Sequence, residues 1–419
     1  MFERVFKLSE HKTTVKTEVM AGITTFMTMA YILAVNPSVL GSTGMDTTAV
    51  LLATALASCL GTLCMAFMAN LPFALSAGMG LNAFMAYTVV AGYGYSWQVA
   101  LLAVFIEGLI FIVLSLTNIR EAIFNAIPLT LKKGVSVGIG LFIAFIGLQN
   151  SGLCVDSATL VGIISFPENF HTAGICALLT LIGLFFTAVF YTRKMKGAIL
   201  YGILLTWILG MICQVTGLYV PTPDAGFYSL FPSWGMTDFS RLGLTFGQCF
   251  NVDFSNVGIV NFIIVVFSFL FVDIFDTLGT LIGVATKADM LDEEGRLPGI
   301  KPALMADAIG TTVGAVMGTS TITTFVESAS GVAVGGRTGL TALTTGILFL
   351  ASMFFAPIFT AIPSFATAPA LMMVGYLMVS TVTEIRFDED NMAEAIPAYL
   401  AIVAMPLFYS ISVRRPCFS

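Results

Sequence analysis

Apolar residues fill this chain in long runs separated by short polar stretches, and the length of those runs sets the fold class. A helix needs about 20 apolar residues to cross a hydrocarbon core. Runs of that kind recur near 19–40, 48–69, 79–95, 97–117, 134–150, 172–192 and 197–217. A longer polar stretch, 218–257, contains Pro221, Pro223, Pro232 and Trp234. A second set of runs follows near 258–286, 300–318, 327–340, 342–362, 366–381 and 393–412. The pattern predicts an all-α polytopic membrane protein built in two sets of spans. Alternating segments of about 10 residues, the mark of a transmembrane barrel, do not occur in it.

Composition strengthens this reading. Of 419 residues, 57% are hydrophobic and 10% charged, with mean hydropathy +0.95. That is more apolar surface than a water-soluble domain uses. The formal charge of −6 says less than the placement of the cations. Lys and Arg gather in cytoplasmic loops. Arg4, Lys7, Lys12 and Lys16 therefore put the N-terminus inside, and the same side receives Arg120, Lys132 and Lys133, then Arg193, Lys194 and Lys196, then Lys287, Arg296 and Lys301. The segments left outside, 41–47, 91–96 and 218–257, hold one cation, Arg241. Met1 to Lys16 is polar and basic without a cleavable-leader pattern. The end of the chain departs from the scheme: a thirteenth span near 393–412 leaves Arg414 and Arg415 outside, so a last span is expected to be missing.

No basic cluster interleaved with aromatics points to nucleic acid. The seven cysteines are scattered without a CxxC pair or a Cys/His ligand set, which fits packing residues rather than a metal or redox centre. No paired nucleophile and base suggests an enzyme.

The chemistry sits where apolar runs are interrupted. Phe267 to Thr280 carries two carboxylates, Asp273 and Asp276, deep in an otherwise apolar run. Ionisable groups inside a span are costly and mark functional sites, and an i, i+3 spacing puts these two on one helix face. A third acid, Glu327, lies in Thr323-Thr-Phe-Val-Glu-Ser-Ala-Ser-Gly331. Shifted by 250 residues, Leu75-Ser-Ala-Gly-Met-Gly-Leu-Asn-Ala-Phe84 falls over Phe325 to Val334, and both stretches are short and rich in Gly and Ser. Seven spans would put the second half in the membrane upside down, so the two stretches read as interrupted helices of an inverted repeat meeting at mid-membrane. Glu327 would occupy the first turn of a half-helix, where the dipole favours a carboxylate, and Asn82 a comparable place in the first half. At that offset Phe26 and Ala77 match Asp276 and Glu327, so the pocket is acidic on one side only.

Such a set suits a neutral, planar, hydrogen-bonding solute, with Phe26 or another aromatic covering a ring face. His11 and His171 lie outside the predicted spans, so a proton carrier within the membrane is expected among Asp273, Asp276 and Glu327. Structural readings compete: helix–helix bonding for the aspartates, a helix cap for Glu327, packing for Asn82. Glu107 and Asp307 read as structural acids. Gly335-Gly-Arg-Thr-Gly339 reads as a tight turn with a snorkelling Arg337.

At these residues a resemblance becomes visible. Ala21-Gly-Ile-Thr-Thr-Phe-Met-Thr-Met-Ala-Tyr-Ile-Leu-Ala-Val-Asn-Pro37, Gly78-Met-Gly-Leu-Asn-Ala-Phe84, Phe271-Val-Asp-Ile-Phe-Asp-Thr-Leu-Gly-Thr280 and Glu327-Ser-Ala-Ser-Gly-Val-Ala-Val-Gly-Gly-Arg-Thr-Gly339 are similar to motifs of the nucleobase–cation symporters, the xanthine/uracil permease superfamily, in its azaguanine-resistance purine branch. The resemblance implies an inverted 7+7 transmembrane repeat with two short strands in segments 3 and 10. The core domain would comprise 19–117 and 258–362. The gate domain would comprise 118–217 and 363–419, its last span missing here. Residues 1–18 would be cytoplasmic and 218–257 extracytoplasmic. It implies import of hypoxanthine, guanine or adenine across the cell membrane, coupled to protons, by movement of core against gate; the sequence leaves the oligomeric state open, a homodimer being one candidate. Asp276 and Glu327 would bind the purine, with Asp273 and Asn82 contributing. The shortened end raises one alternative, a form that binds purine without transporting it; a second is an anion transporter of the same architecture, which would call for cations rather than acids at the half-helix ends.

Overall fold

The computed structural model describes residues 2–117, 128–157, 161–222, 227–232, 235–255, 257–287, 290, 297–388 and 391–407. Arg120, Arg296, Arg414, Arg415 and the expected loss of a last span lie outside the described residues. Among the described residues, eight helices are long and apolar enough to cross a membrane. Three shorter apolar helices, Met79–Gly92, Ile259–Ile274 and Met392–Leu407, accompany them.

The first run forms two helices, α1 (Val15–Met29) and α2 (Ile32–Gly41), which meet at Ala30 and Tyr31. Thr14 caps α1, its hydroxyl accepting the Thr17 N–H at 3.2 Å. Helix α3 (Thr47–Cys64) is capped by Asp46, whose carboxylate accepts the Ala49 N–H at 2.8 Å. Asp46 also pairs with Arg241, the one cation expected outside, at 2.7 Å. Strand β1 (Leu75–Ala77) leads into α4 (Met79–Ala83), which continues as a wider π-helical stretch to Gly92. Then come α5 (Trp97–Leu116) and α6 (Leu129–Asn150). A hairpin of β2 (Cys154–Asp156) and β3 (Val161–Ile163), which the apolar pattern did not announce, precedes α7 (Ile175–Thr192) and α8 (Ala198–Val215). His171 sits in the first turn of the Phe170–Thr192 span rather than outside it, because a π-helical turn extends that helix to Phe170.

The second set begins with α9 (Ile259–Lys287) and α10 (Ile300–Met317). Strand β4 (Ile322–Thr324) enters α11 (Ser328–Val334). The run near 327–340 is therefore not one span. Gly335 takes φ +111°, a left-handed conformation that ends α11, and α12 (Gly339–Ser352) starts afresh with Thr338 as its cap. Helices α13 (Ser364–Val379) and α14 (Met392–Leu407) complete the described chain.

The two strands pair antiparallel, Leu75 with Thr324, Ser76 with Thr323 and Ala77 with Ile322. The ladder extends outward through Gly78 N–H to Thr321 O and Phe325 N–H to Ala74 O, each 3.0 Å. Extended backbone at membrane depth survives only where its polar groups are satisfied by protein. Flanking helices do this for the outer edges of the ribbon. The Thr62 hydroxyl on α3 accepts Leu75 N–H at 3.0 Å and donates to Leu75 O at 3.1 Å. Thr311 on α10 donates to Ile322 O at 3.0 Å. Helices α3 and α10 cross closely: a Cβ on Gly61 would stand 3.4 Å from the Gly310 Cα. Thr62 and Thr311 are 249 positions apart (311 − 62), as are Gly61 and Gly310, and the starts of α4 and α11. The strands β1 and β4 are instead 247 positions apart (322 − 75), so the corresponding elements do not share one offset.

Candidate functional site

The crossing of β1 and β4 brings residues from distant parts of the chain to one small cavity. Asp276 on α9 and Glu327 at the cap of α11 both line it, together with Tyr31, Gly78, Met79, Gly80 and Thr323. Glu327 accepts a hydrogen bond from the Tyr31 hydroxyl at 2.8 Å. Asp276 receives the Thr323 hydroxyl at 3.4 Å, a long contact. Gly78 is needed for close approach, since a Cβ there would sit 2.9 Å from the Thr323 hydroxyl oxygen and 3.5 Å from an Asp276 carboxylate oxygen. The opposite wall is apolar: Ile139 and Ile143 of α6, Val374 and Met378 of α13. The cavity is partly open, with a volume of about 60 Å³. Pockets that bury small molecules are usually about 300–1,000 Å³.

The other expected site residues lie away from this cavity. Asp273 is fully buried on the α10 side of α9, where the Thr277 hydroxyl lies 2.9 Å from Asp273 and 3.1 Å from Asp307. The shared face inferred from the i, i+3 spacing does not hold in detail. Three residues advance a helix by nearly a turn but miss it by about 60°, enough to aim one aspartate at the cavity and the other at α10. Asn82 is buried behind β1. Its amide donates to Asn36 Oδ1 at 2.6 Å, and its carbonyl oxygen accepts the Ser320 hydroxyl. Asn36 in turn donates to Thr54 at 2.7 Å and Thr319 at 3.0 Å. The Phe26 ring packs edge-on against Phe349, centroids 5.3 Å apart, and does not line the cavity; the aromatic side chains that do are Tyr31 and Phe325. Glu107 and Asp307 are not isolated acids, for Thr321 donates to Glu107 at 3.3 Å and Thr277 reaches Asp307.

Tyr31, Thr323 and Asn36 escaped the sequence reading. Tyr31 looks like one more aromatic in an apolar run, and only the α1–α2 break at that point distinguishes it. Asn36 carried a usable signal, a lone amide inside a span. A larger cavity, of about 590 Å³, lies at the ends of α6, α7 and α13, among Gln149, Asn150, Tyr219, Ser229 and Phe365, and among the described residues no carboxylate lines it.

The xanthine/uracil permease model, described as Permease family, matches residues 16–415. The chain belongs to this family. The permease is 45% identical over 415 residues to the guanine/hypoxanthine permease PbuO of Bacillus subtilis, covering 97% of this chain and 90% of that one. It is 40% identical over 417 residues to the adenine permease AdeP of Escherichia coli, covering 98% and 87%. Its fold resembles the transmembrane domain of the bicarbonate transporter BicA of a cyanobacterium, with TM-score 0.67 across 94% of this chain and 95% of that one. At 16% identity that likeness speaks for the fold alone. The family's members are transporters rather than enzymes, and the permease is a multi-pass helical membrane protein.

Proposed function

We propose that this permease imports purine nucleobases (hypoxanthine, guanine or adenine) across the cell membrane together with protons. The observation that carries the reading is the joint presence of Asp276 and Glu327, from separate segments, at one cavity floored by Gly78 and Gly80. Purine edges present N–H donors, and a carboxylate accepts them in charge-assisted bonds of about 1.5–3 kcal/mol. The glycine floor allows a flat ring to lie close to the backbone. Asp276 and Glu327 bind the base. Asp273 and Asn82 support them from behind, and the transported proton is carried among Asp273, Asp276 and Glu327. The naming of PbuO and AdeP for purines agrees with this choice of solute.

Solute moves by displacement of a core, 19–117 with 258–362, against a gate, 118–217 with 363–419. Residues 1–18 are on the cytoplasmic side with their four cations, and 218–257 outside. The cavity lining divides along that boundary, polar groups from the core and Ile139, Ile143, Val374 and Met378 from the gate. Within the gate, α6 and α13 are packed through glycine, since a Cβ on Gly140 would come within 2.7 Å of the Met378 Cβ. Withdrawal of the gate wall widens this cleft to admit a base. The two sets of spans form an inverted repeat.

Uptake of labelled hypoxanthine, guanine and adenine, with and without an uncoupler, tests this. Saturable uptake of one of them that collapses with the proton gradient is expected. Uptake insensitive to the uncoupler removes the coupling, and no purine uptake removes the assignment. An anion carrier on the same fold is disfavoured by the two carboxylates, which repel an anionic solute.

A further inference from the structure

Glu18 lies in the first turn of α1, far from the cavity, and is completely buried. A buried carboxylate is costly unless it is hydrogen-bonded, and its donors come from the turn between α11 and α12 and from the first turn of α12. Arg337 N–H reaches Glu18 Oε1 at 2.9 Å, Thr338 N–H reaches Oε2 at 3.2 Å, and the Thr341 hydroxyl reaches Oε2 at 2.6 Å. Among the described residues no cation lies within 4 Å of it. The Arg337 guanidinium instead turns back to Val332 O and Gly336 O, each 2.8 Å. The start of α12 is a favourable place for the negative charge.

Helices α1 and α11 are joined at three levels. At the far end Glu18 holds the α11–α12 turn. In the middle Thr28 and Ser330 share a hydrogen bond at 2.9 Å, and Gly331 approaches so closely that a Cβ there would stand 2.8 Å from Ala21 O. At the cavity, Tyr31, just past α1, donates to Glu327 at the cap of α11. Each segment thus offers a carboxylate at one end to donors on the other.

We propose that Glu18 is a positioning residue for solute binding: by fixing the α11–α12 turn to α1 it sets the register in which Tyr31 meets Glu327. This rests on the purine-carrier reading. Purine affinity and thermal midpoint should be measured on purified full-length protein for Glu18→Ala and Glu18→Gln, each alone and combined with Glu327→Gln. Glu18→Ala should raise the Kd about tenfold, and Glu18→Gln, which keeps one acceptor, about threefold. In the Glu327→Gln background both effects should shrink below about twofold, since residues acting through one another are not additive. If Glu18→Ala does not fold, Glu18→Gln and its double variant decide alone. A lowered midpoint with unchanged Kd, or effects that add fully to those of Glu327→Gln, would overturn the proposal. Absence of purine binding to the wild-type protein would instead sink the functional reading.

Discussion

The two interrupted segments of this permease are built alike and equipped differently. Each is a three-residue strand leading into a short buried helix, Leu75–Ala77 into Met79–Ala83 and Ile322–Thr324 into Ser328–Val334. Each has its outer backbone satisfied by a threonine of a neighbouring helix, Thr62 or Thr311. At the cavity, however, the first presents Gly78 where the second presents Glu327. The one polar side chain of the first helix, Asn82, turns away into a closed network with Asn36 and Ser320. Two similarly built segments can therefore differ in what they bring to the cavity, the second supplying an acid and the first a glycine backbone, with Tyr31 of the first set of spans donating to that acid.

The contrast is broken most directly by taking the charge from the acidic half. Glu327→Gln replaces a charged acceptor with a neutral one and should weaken purine binding by about 1.5–3 kcal/mol, measured by equilibrium binding on purified protein. Undiminished affinity would reduce Glu327 to a helix cap and leave the site without its second acid.

The glycine half is tested by filling it. Gly78 has φ −66° and ψ 119°, which alanine adopts freely, so any effect of Gly78→Ala comes from space. The new methyl would push on the Thr323 hydroxyl that faces Asp276. Overpacking of this kind should cost about 1–2 kcal/mol in affinity, read as a raised KM for uptake. Full activity in Gly78→Ala would mean that solute does not approach this backbone.

Asn82 sharpens the same comparison, because its network predicts a different kind of loss. Removing its amide leaves Asn36 and Ser320 with unmet bonds in a dry interior, so Asn82→Ala should lower stability by about 1–2 kcal/mol. Asn36→Ala should reproduce the effect. Thermal unfolding and purine binding of the two variants separate the cases. A large loss of affinity in Asn82→Ala that Asn36→Ala does not share would put Asn82 in direct contact with the solute.

Much of this was legible in the sequence because bilayer physics is strict. Apolar length located most spans within a few residues, and the acids inside them pointed to the site. The Gly- and Ser-rich stretches around Leu75 and Phe325 marked where helices break. What stayed hidden depended on rotation and on partners. Asp273 and Asp276 read as one face, yet about 60° of helix rotation gives them different neighbours. Phe26 was expected to cover a ring face, yet its ring packs against Phe349. The break between Val334 and Gly339 falls on the Gly335-Gly-Arg-Thr-Gly339 turn that the sequence indicated, although the span expected near 327–340 runs through it.

Tyr31 is the least conspicuous member of the site and the one that ties the halves together, since it comes from the first set of spans and bonds to the acid of the second. Tyr31→Phe removes one hydroxyl and little volume, so packing is preserved and the change isolates the hydrogen bond. Glu327 then loses a donor that fixes its orientation, and purine Kd should rise about fivefold, corresponding to about 1 kcal/mol. In the Glu327→Gln background the same substitution should add little, because the bond it removes no longer ends on a charge. A Kd unchanged by Tyr31→Phe would leave the first half contributing only backbone and space at the cavity, making the division between the halves complete.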